Sequence, residues 1–399
     1  MSQSENTPTT PSFADLTTIR IGGPIATFVE PTSEDDVIGI VREADASRIP
    51  LCVIGGGSNM LVSDDPFDGT VLRDARRGVT VSTAEATPSM AGAPASAVEV
   101  TAEAGANWDD FVAVCVASGF EGVEGLSGIP GTVGASVVQN IGAYGQEVAT
   151  SVARVRVWDR ELGRIAELGH DDLCFGYRSS SLKTTMYATN PDGGRTTTRW
   201  FPTPRYIVLS VTYRLVRSTQ GTVGVGQLAK ALGVDLGTRM DLAAIREAVL
   251  RIRAAKDMLE DLSRYANPWM SSSKDVAADL RNAQPNHNRW SCGSFFINPV
   301  VDSDHAAQYL DGAPQYPGAL PDGSQGVKTS AAWLIDHAGF HRGFALDGSH
   351  ASLSTVHTLA LTNRGGASFG EVLGLAQTIV QGVWKTYRIR LVPEPVVVR

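Results

Sequence analysis

The 399-residue chain is long for a single core, and its make-up, 43% apolar and 19% charged, is that of a globular protein rather than a disordered one. A net charge of −8 with no basic arm argues against a nucleic-acid binder. No apolar run reaches the ~18 residues that cross a bilayer, and the polar stretch 1–12, read as a disordered tail, has no signal-peptide core.

Four scattered cysteines, Cys52, Cys115, Cys174 and Cys292, suggest neither a CxxC metal pair nor a disulfide framework. A cytoplasmic protein with reduced, mostly buried thiols is expected. Past the tail, residues 26–30 read as a strand ended by Pro31. Ser33, with Asp36 three residues on, starts a helix whose apolar stripe is Val37, Ile38, Ile40 and Val41. A short strand at 51–54 breaks at Gly55-Gly56-Gly57, and 70–72 is another, giving a compact α/β unit. A second unit starts with a strand at 97–104 and a helix capped by Asn107, with Phe111, Val114 and Cys115 at helical spacing.

Residues 152–158 and 206–216 are strands rich in Val and Tyr, and 185–204, centred on Asn190-Pro191-Asp192-Gly193-Gly194, reads as an exposed insertion. Asp241 opens a helix with Leu242, Ile245, Val249, Ile252 and Leu259 as its buried face. The pattern dissolves over 263–289, as in a linker or an excursion. A third unit begins near Trp290 and holds a helix from Thr329, a helix with the capping box Ser368/Glu371, and a final strand at 387–398.

Glycine carries the first functional signal. Gly55-Gly56-Gly57-Ser58-Asn59 follows directly on a strand; it can turn backbone N–H groups inward to cradle an anion, or it can simply be a tight turn. Gly128-Ile129-Pro130-Gly131-Thr132-Val133-Gly134-Ala135, followed by Gln139-Asn140-Ile141-Gly142-Ala143-Tyr144-Gly145, suits a backbone packed against a flat ring and its phosphates. The three-residue spacing of glycines from 119 to 134 is too short for a triple helix. Neither a GxGxxG turn after a strand nor a GKS/GKT loop occurs, which disfavours the Rossmann and P-loop modes.

These two loops, together with Thr18-Ile19-Arg20-Ile21-Gly22-Gly23 ahead of them, resemble the UDP-N-acetylenolpyruvoylglucosamine reductase family over nearly the whole chain. The resemblance implies an α+β architecture: a two-subdomain FAD-binding fold of the vanillyl-alcohol-oxidase type plus a C-terminal α/β substrate-binding domain. The expected division is 13–75 and 76–262 for the flavin, with a terminal strand at 384–399 returning to the latter, and 263–383 for the substrate. It implies non-covalent FAD held by Gly55, Gly56, Gly57, Ser58, Asn59, Ile129, Pro130, Gly131, Gly134, Ala135, Asn140 and Gly142. NADPH would be co-substrate, UDP-N-acetylglucosamine enolpyruvate the substrate, and the enzyme a monomer with no metal.

Three further stretches fit the family. Arg178, in Phe175-Gly176-Tyr177-Arg178-Ser179-Ser180, can grip a carboxylate bidentately, although an isolated Arg more often makes a surface ion pair. Ser294, between Gly293 and two phenylalanines, could be a proton donor or a hydroxyl satisfied by backbone. Glu394, in the apolar terminal segment, could exchange protons or be an exposed strand-end carboxylate. By the resemblance, Arg178 binds the enolpyruvyl carboxylate, Ser294 protonates the substrate carbon and Glu394 assists. Tyr177, Arg253, Lys256, Asn298 and His337 meet the substrate, with Arg253 and Lys256 on one helix face.

The sequence departs from the family pattern in places. Thr222-Val223-Gly224-Val225-Gly226 lacks a tyrosine, His337 stands where an amide is usual, Val396 replaces an arginine, and 190–205 and 263–289 are expanded. An FAD-dependent alcohol or sugar oxidase of the same fold is the main rival, although no histidine lies in the first glycine loop. A catalytically silent flavin module would have lost Arg178, Ser294 or Glu394.

Overall fold

The structure, a computed structural model, describes residues 10–82, 97–189, 195–320 and 322–399. Most of the expected N-terminal tail (1–9) and the centre of the expected insertion (190–194) lie outside the described residues. The chain forms two compact units. One holds Ile25–Gly56 and Phe67–Ala254; the other holds Pro11–Pro24, Gly57–Pro66 and Ala255–Arg399.

Two larger sheets frame the first unit. Ile25–Val29 and Leu51–Val53 pair in parallel with the central strand Phe67–Leu72. Between the first two runs the helix Glu34–Ser47, which starts where Ser33 Oγ accepts the Asp36 N–H at 3.1 Å and ends at Arg48 in the left-handed region. Its Val37, Ile38, Val41 and Ala44 pack with Leu51, Leu72, Trp158, Ile207 and Leu209. The second sheet is antiparallel, in the order Arg164–Gly169, Val152–Asp159, Tyr206–Arg217, Ala97–Glu103, Val79–Ser82. Alternation along Ala97–Glu103 turns Val98, Val100 and Ala102 inward.

The helix Trp108–Ala117 lies over that core, its Asn107 cap accepting the Asp110 N–H at 3.1 Å. The buried face runs through Trp108, Phe111, Val112 and Cys115, so Val114, expected inside, is 44% exposed. Phe111 packs on Tyr213 with ring centroids 4.7 Å apart. The stretch 185–204 is not simply exposed: Met186 and Thr203 are buried, and Thr203 Oγ1 accepts the Val53 N–H at 2.7 Å. The helix Leu242–Ala255 buries Leu242, Ile245, Ala248 and Val249, and it ends before Leu259, which therefore takes no part in its face.

The second unit is centred on the helix Phe369–Tyr387, whose Val372, Leu375, Ala376, Ile379 and Val383 meet Phe295, Phe296, Leu334, Ile335, Leu353 and Leu361. The final strand is shorter than expected: Tyr387 closes the helix, and the last strand spans Val396–Val398. It pairs in parallel with Met60–Val62 rather than with residues 76–262. Nor is 263–289 a linker. Short helical turns at Leu262–Ala266, Ala278–Arg281 and His287–Arg289 punctuate it, and Arg264, Tyr265 and Met270 are buried. Arg264 donates to the Leu16 carbonyl at 2.6 Å and pairs with Glu260 at 2.8 Å.

Cys52, Cys115 and Cys292 are buried, and burial pushes each thiol up to about 12; Cys174 is exposed. Among the described residues no helix is long and apolar enough to cross a membrane.

The capping box at Ser368 makes a prediction. The Glu371 carboxylate accepts the backbone N–H groups of His350 and Ser368, each at 2.7 Å, and these bonds hold it at about 2, below its ordinary 4.5. A depressed carboxylate stabilises the fold above its ordinary value, and that stability is lost as pH falls through about 2. Glu371→Ala should therefore cost about 0.5–2 kcal/mol at neutral pH. In paired thermal melts the gap to the parent protein should narrow as pH drops from about 4.5 towards 2. A gap independent of pH would show that the carboxylate charge is not what counts.

Candidate functional site

In the first unit the two glycine loops touch backbone to backbone. A Cβ placed on Gly56 would lie 2.8 Å from the Gly131 Cα, and one on Gly55 would lie 2.6 Å from Thr132 Oγ1. Gly131, at φ +134°, is anchored where its carbonyl accepts the Trp108 N–H at 3.1 Å. Gly134 has a different reason to be glycine: its Cβ would meet that of Ala104 at 2.7 Å, and its N–H already donates to the Ala104 carbonyl.

Gly128, at the head of the second loop, is pinned from both sides. Its N–H donates to Asp109 Oδ1 at 2.6 Å, and Arg246 holds that carboxylate bidentately at 2.6 and 3.0 Å. Its carbonyl accepts Arg253 Nε at 3.1 Å. Arg253 is 6% exposed, and burial pulls its guanidinium below the usual value, opposed by nearby Tyr144 and Asp109. Asp109 and Arg246 were not legible as a pair, since they lie 137 residues apart.

The helix Val133–Gln139 ends on Asn140, in the left-handed region at φ 44°. Its buried amide donates to the Gly176 carbonyl at 2.9 Å and accepts the Ala149 N–H at 3.2 Å. A two-residue hairpin follows, Gly142–Ala143 paired with Gln146–Glu147, with Tyr144 and Gly145 both at positive φ as a type I′ turn requires. Arg178 reaches it: Nη2 donates to the Gly142 carbonyl at 2.8 Å and Nη1 to that of Asn140 at 3.4 Å. Arg178 itself sits at φ 54°, inside the tight Gly176–Ser179 turn, with its guanidinium 5.1 Å from the half-exposed Tyr177 ring. A non-glycine residue held in that region stores strain of order 1–3 kcal/mol, the kind found where a side chain must be aimed.

In the second unit, Thr18 donates its N–H to the Gly57 carbonyl at 3.1 Å, and the Asn59 carbonyl accepts the Val396 N–H at 3.0 Å. Ser294 follows Gly293, at φ 72°. The Phe295 carbonyl accepts the Glu394 N–H at 2.9 Å, Ile297 donates to the Val392 carbonyl at 3.0 Å, and Phe296 and Pro393 form an antiparallel bridge. Ser294 and Glu394, 100 positions apart in sequence, therefore lie on adjacent extended segments, and both are partly buried.

Asn298 Oδ1 accepts the Ala331 N–H at 2.9 Å, at the start of the helix Ala331–His337. At the other end of that helix His337 stacks on Trp333 with centroids 3.8 Å apart. Its Nδ1 lies 2.9 Å from the Trp333 carbonyl, which leaves Nε2 as the acceptor. Lys256 stands one position beyond Ala255, the last helical residue. No cluster of three or more metal-ligating side chains occurs among the described residues.

A flavin nucleotide fits the first unit on one observation above the others: the contact between Gly56 and Gly131 closes to a spacing that any side chain would fill. Residues 25–169 match the family described as "FAD binding domain", and residues 284–398 match "UDP-N-acetylenolpyruvoylglucosamine reductase, C-terminal domain". The chain is 43% identical over 385 residues to the UDP-N-acetylenolpyruvoylglucosamine reductase of Cutibacterium acnes, covering 96% of this chain and 88% of that one. It is 40% identical over 393 residues to that of Thermobifida fusca, covering 97% and 96%. The crystal structure of the corresponding reductase from Thermus caldophilus shares the fold, with a TM-score of 0.54 at 22% identity over 98% of each chain.

Proposed function

The chain belongs to the UDP-N-acetylenolpyruvoylglucosamine reductase family, and from that premise we propose how its own residues share the work. It is an FAD-dependent oxidoreductase that uses NADPH to reduce the enolpyruvyl group of UDP-N-acetylglucosamine enolpyruvate to UDP-N-acetylmuramate, a peptidoglycan precursor. FAD, when bound, supplies the hydride chemistry between NADPH and the enol ether.

The two larger sheets of the first unit, with the glycine loops, are assigned to the flavin, and the second unit to the UDP sugar. Arg178 binds the substrate carboxylate and stabilises the negative charge that builds beside it when hydride arrives. Ser294 delivers the proton to the carbon that carries this charge, and Glu394 restores the proton to Ser294. The observation that carries the assignment is the backbone pairing of Phe295 with Glu394, which sets the hydroxyl and the carboxylate on neighbouring segments. Lys256, Asn298, His337 and Tyr177 are assigned to the substrate. Arg253 is assigned there too, while its Nε holds the Gly128 carbonyl. Because NADPH and the UDP sugar are cytoplasmic metabolites, that is where the enzyme is placed. A monomer is proposed, to be checked by sedimentation.

An anaerobic two-step titration tests the scheme. NADPH should bleach the yellow protein, and UDP-N-acetylglucosamine enolpyruvate alone should restore the colour; bleaching with no response to that substrate would overturn it. Arg178→Lys tests the carboxylate contact. A compact ammonium cannot reproduce the guanidinium fork, so kcat/KM for the enolpyruvyl substrate should fall by about 10- to 100-fold with bleaching by NADPH unchanged. Unaltered kcat/KM would remove Arg178 from this role.

A further inference from the structure

Lys256 leaves its helix into a turn that is tied more heavily than a solvent-exposed loop requires. The next residue, Asp257, is in the left-handed region at φ 51°. Its carboxylate accepts Asn286 Nδ2 at 2.8 Å and Asn288 Nδ2 at 3.1 Å, and faces Arg289 Nε at 3.5 Å. Asn288 then reaches a second turn. Its Oδ1 accepts the Thr355 N–H at 3.1 Å, the Thr355 hydroxyl at 3.2 Å and Arg364 Nη1 at 2.8 Å.

Two residues after Thr355 comes His357. Burial, with the nearby charge of Lys256 as the second cause, lowers this imidazole to about 4, so it is neutral at physiological pH. A neutral imidazole can bond to a phosphate or ribose oxygen without adding a second positive charge beside the ammonium. One asparagine thus joins the turn after Lys256 to the turn before His357.

We propose that Asn288 is a positioning residue: by bridging Asp257 and Thr355 it holds Lys256 and His357 side by side as a paired contact for the diphosphate of the UDP substrate. This rests on the assignment of Lys256 to that substrate. A lysine carries about 2 kcal/mol of rotamer entropy, and ordering the backbone at its root removes part of what binding would otherwise cost.

The test is a double-mutant cycle on the full-length flavoprotein, reading KM and kcat for UDP-N-acetylglucosamine enolpyruvate, with flavin content as the check on folding. Asn288→Ala should raise KM about tenfold with kcat within about twofold, in line with couplings of 0.5–3 kcal/mol inside one network. On a Lys256→Met background the same change should add less than about twofold, because there is no longer an ammonium to position. If the full effect persists on that background, Asn288 acts on the fold alone and the inference fails while the Lys256 assignment stands. If Lys256→Met leaves KM unchanged, the assignment itself fails and takes the inference with it. Should Asn288→Ala not fold, Thr355→Val removes only the hydroxyl arm of the bridge; it should raise KM in the same direction by a smaller factor, and an unchanged KM would overturn the proposal.

Discussion

Alanine at Ser294 is expected to slow reoxidation of the NADPH-reduced protein by UDP-N-acetylglucosamine enolpyruvate by about 10²- to 10⁴-fold, the range that a positioned proton donor supplies. Bleaching by NADPH should keep its rate, since that half-reaction needs no proton at the substrate carbon. The substitution is conservative for the fold. The bonds holding this segment are backbone bonds: Phe295 to the Leu359 carbonyl at 2.8 Å, and Glu394 and Ile297 across to the terminal segment. Removing one oxygen leaves all of them in place. Stopped-flow traces of the separate half-reactions make the check, and an equal loss in both would refute the role.

Valine at Gly56 is expected to give a colourless protein. The neighbour its Cβ would strike, at 2.8 Å, is the Gly131 Cα, with the Gly131 nitrogen at 3.2 Å. A flexible side chain could swing away; this is backbone, and its carbonyl is already committed to the Trp108 N–H. The two loops must separate, and with them the surface that the cofactor requires. Gly39, in the helix Glu34–Ser47 with nothing within 4 Å of a built Cβ, provides the control. Gly39→Ala should retain its flavin and gain about 0.5–1 kcal/mol of stability. Visible absorbance of the two purified variants decides it: a full flavin complement in Gly56→Val would remove the first loop from the cofactor site.

What was legible in the sequence is what is local. The starts of the helices Glu34–Ser47 and Phe369–Tyr387 are written in Ser33/Asp36 and Ser368/Glu371, each a bond spanning three residues. The glycine loops are legible for the same reason, because the steric demand resides in the glycine itself. The clamps around the loops are not. Arg264 meets the Leu16 carbonyl across 248 positions, so a polar run that folds inward looked like a linker. The strands Arg164–Gly169 and Gln315–Ala319 were missed because each is largely exposed and shows no clean period of two, and Val79–Ser82 because its alternation lasts only four residues. Spacing also misled: Val114, one position before the buried Cys115, is 44% exposed, and the helix Leu242–Ala255 ends before Leu259.

The pairing of Val396–Val398 with Met60–Val62 has a consequence for the birth of the molecule. Met60–Val62 has no other strand partner among the described residues, and its mate is made more than 330 residues later. At elongation rates of roughly 5–20 residues per second, the early strand waits on the order of tens of seconds with its edge open. The second unit is thus completed only once Val396–Val398 has been made. A truncation ahead of Val396 would leave that edge permanently open to other chains.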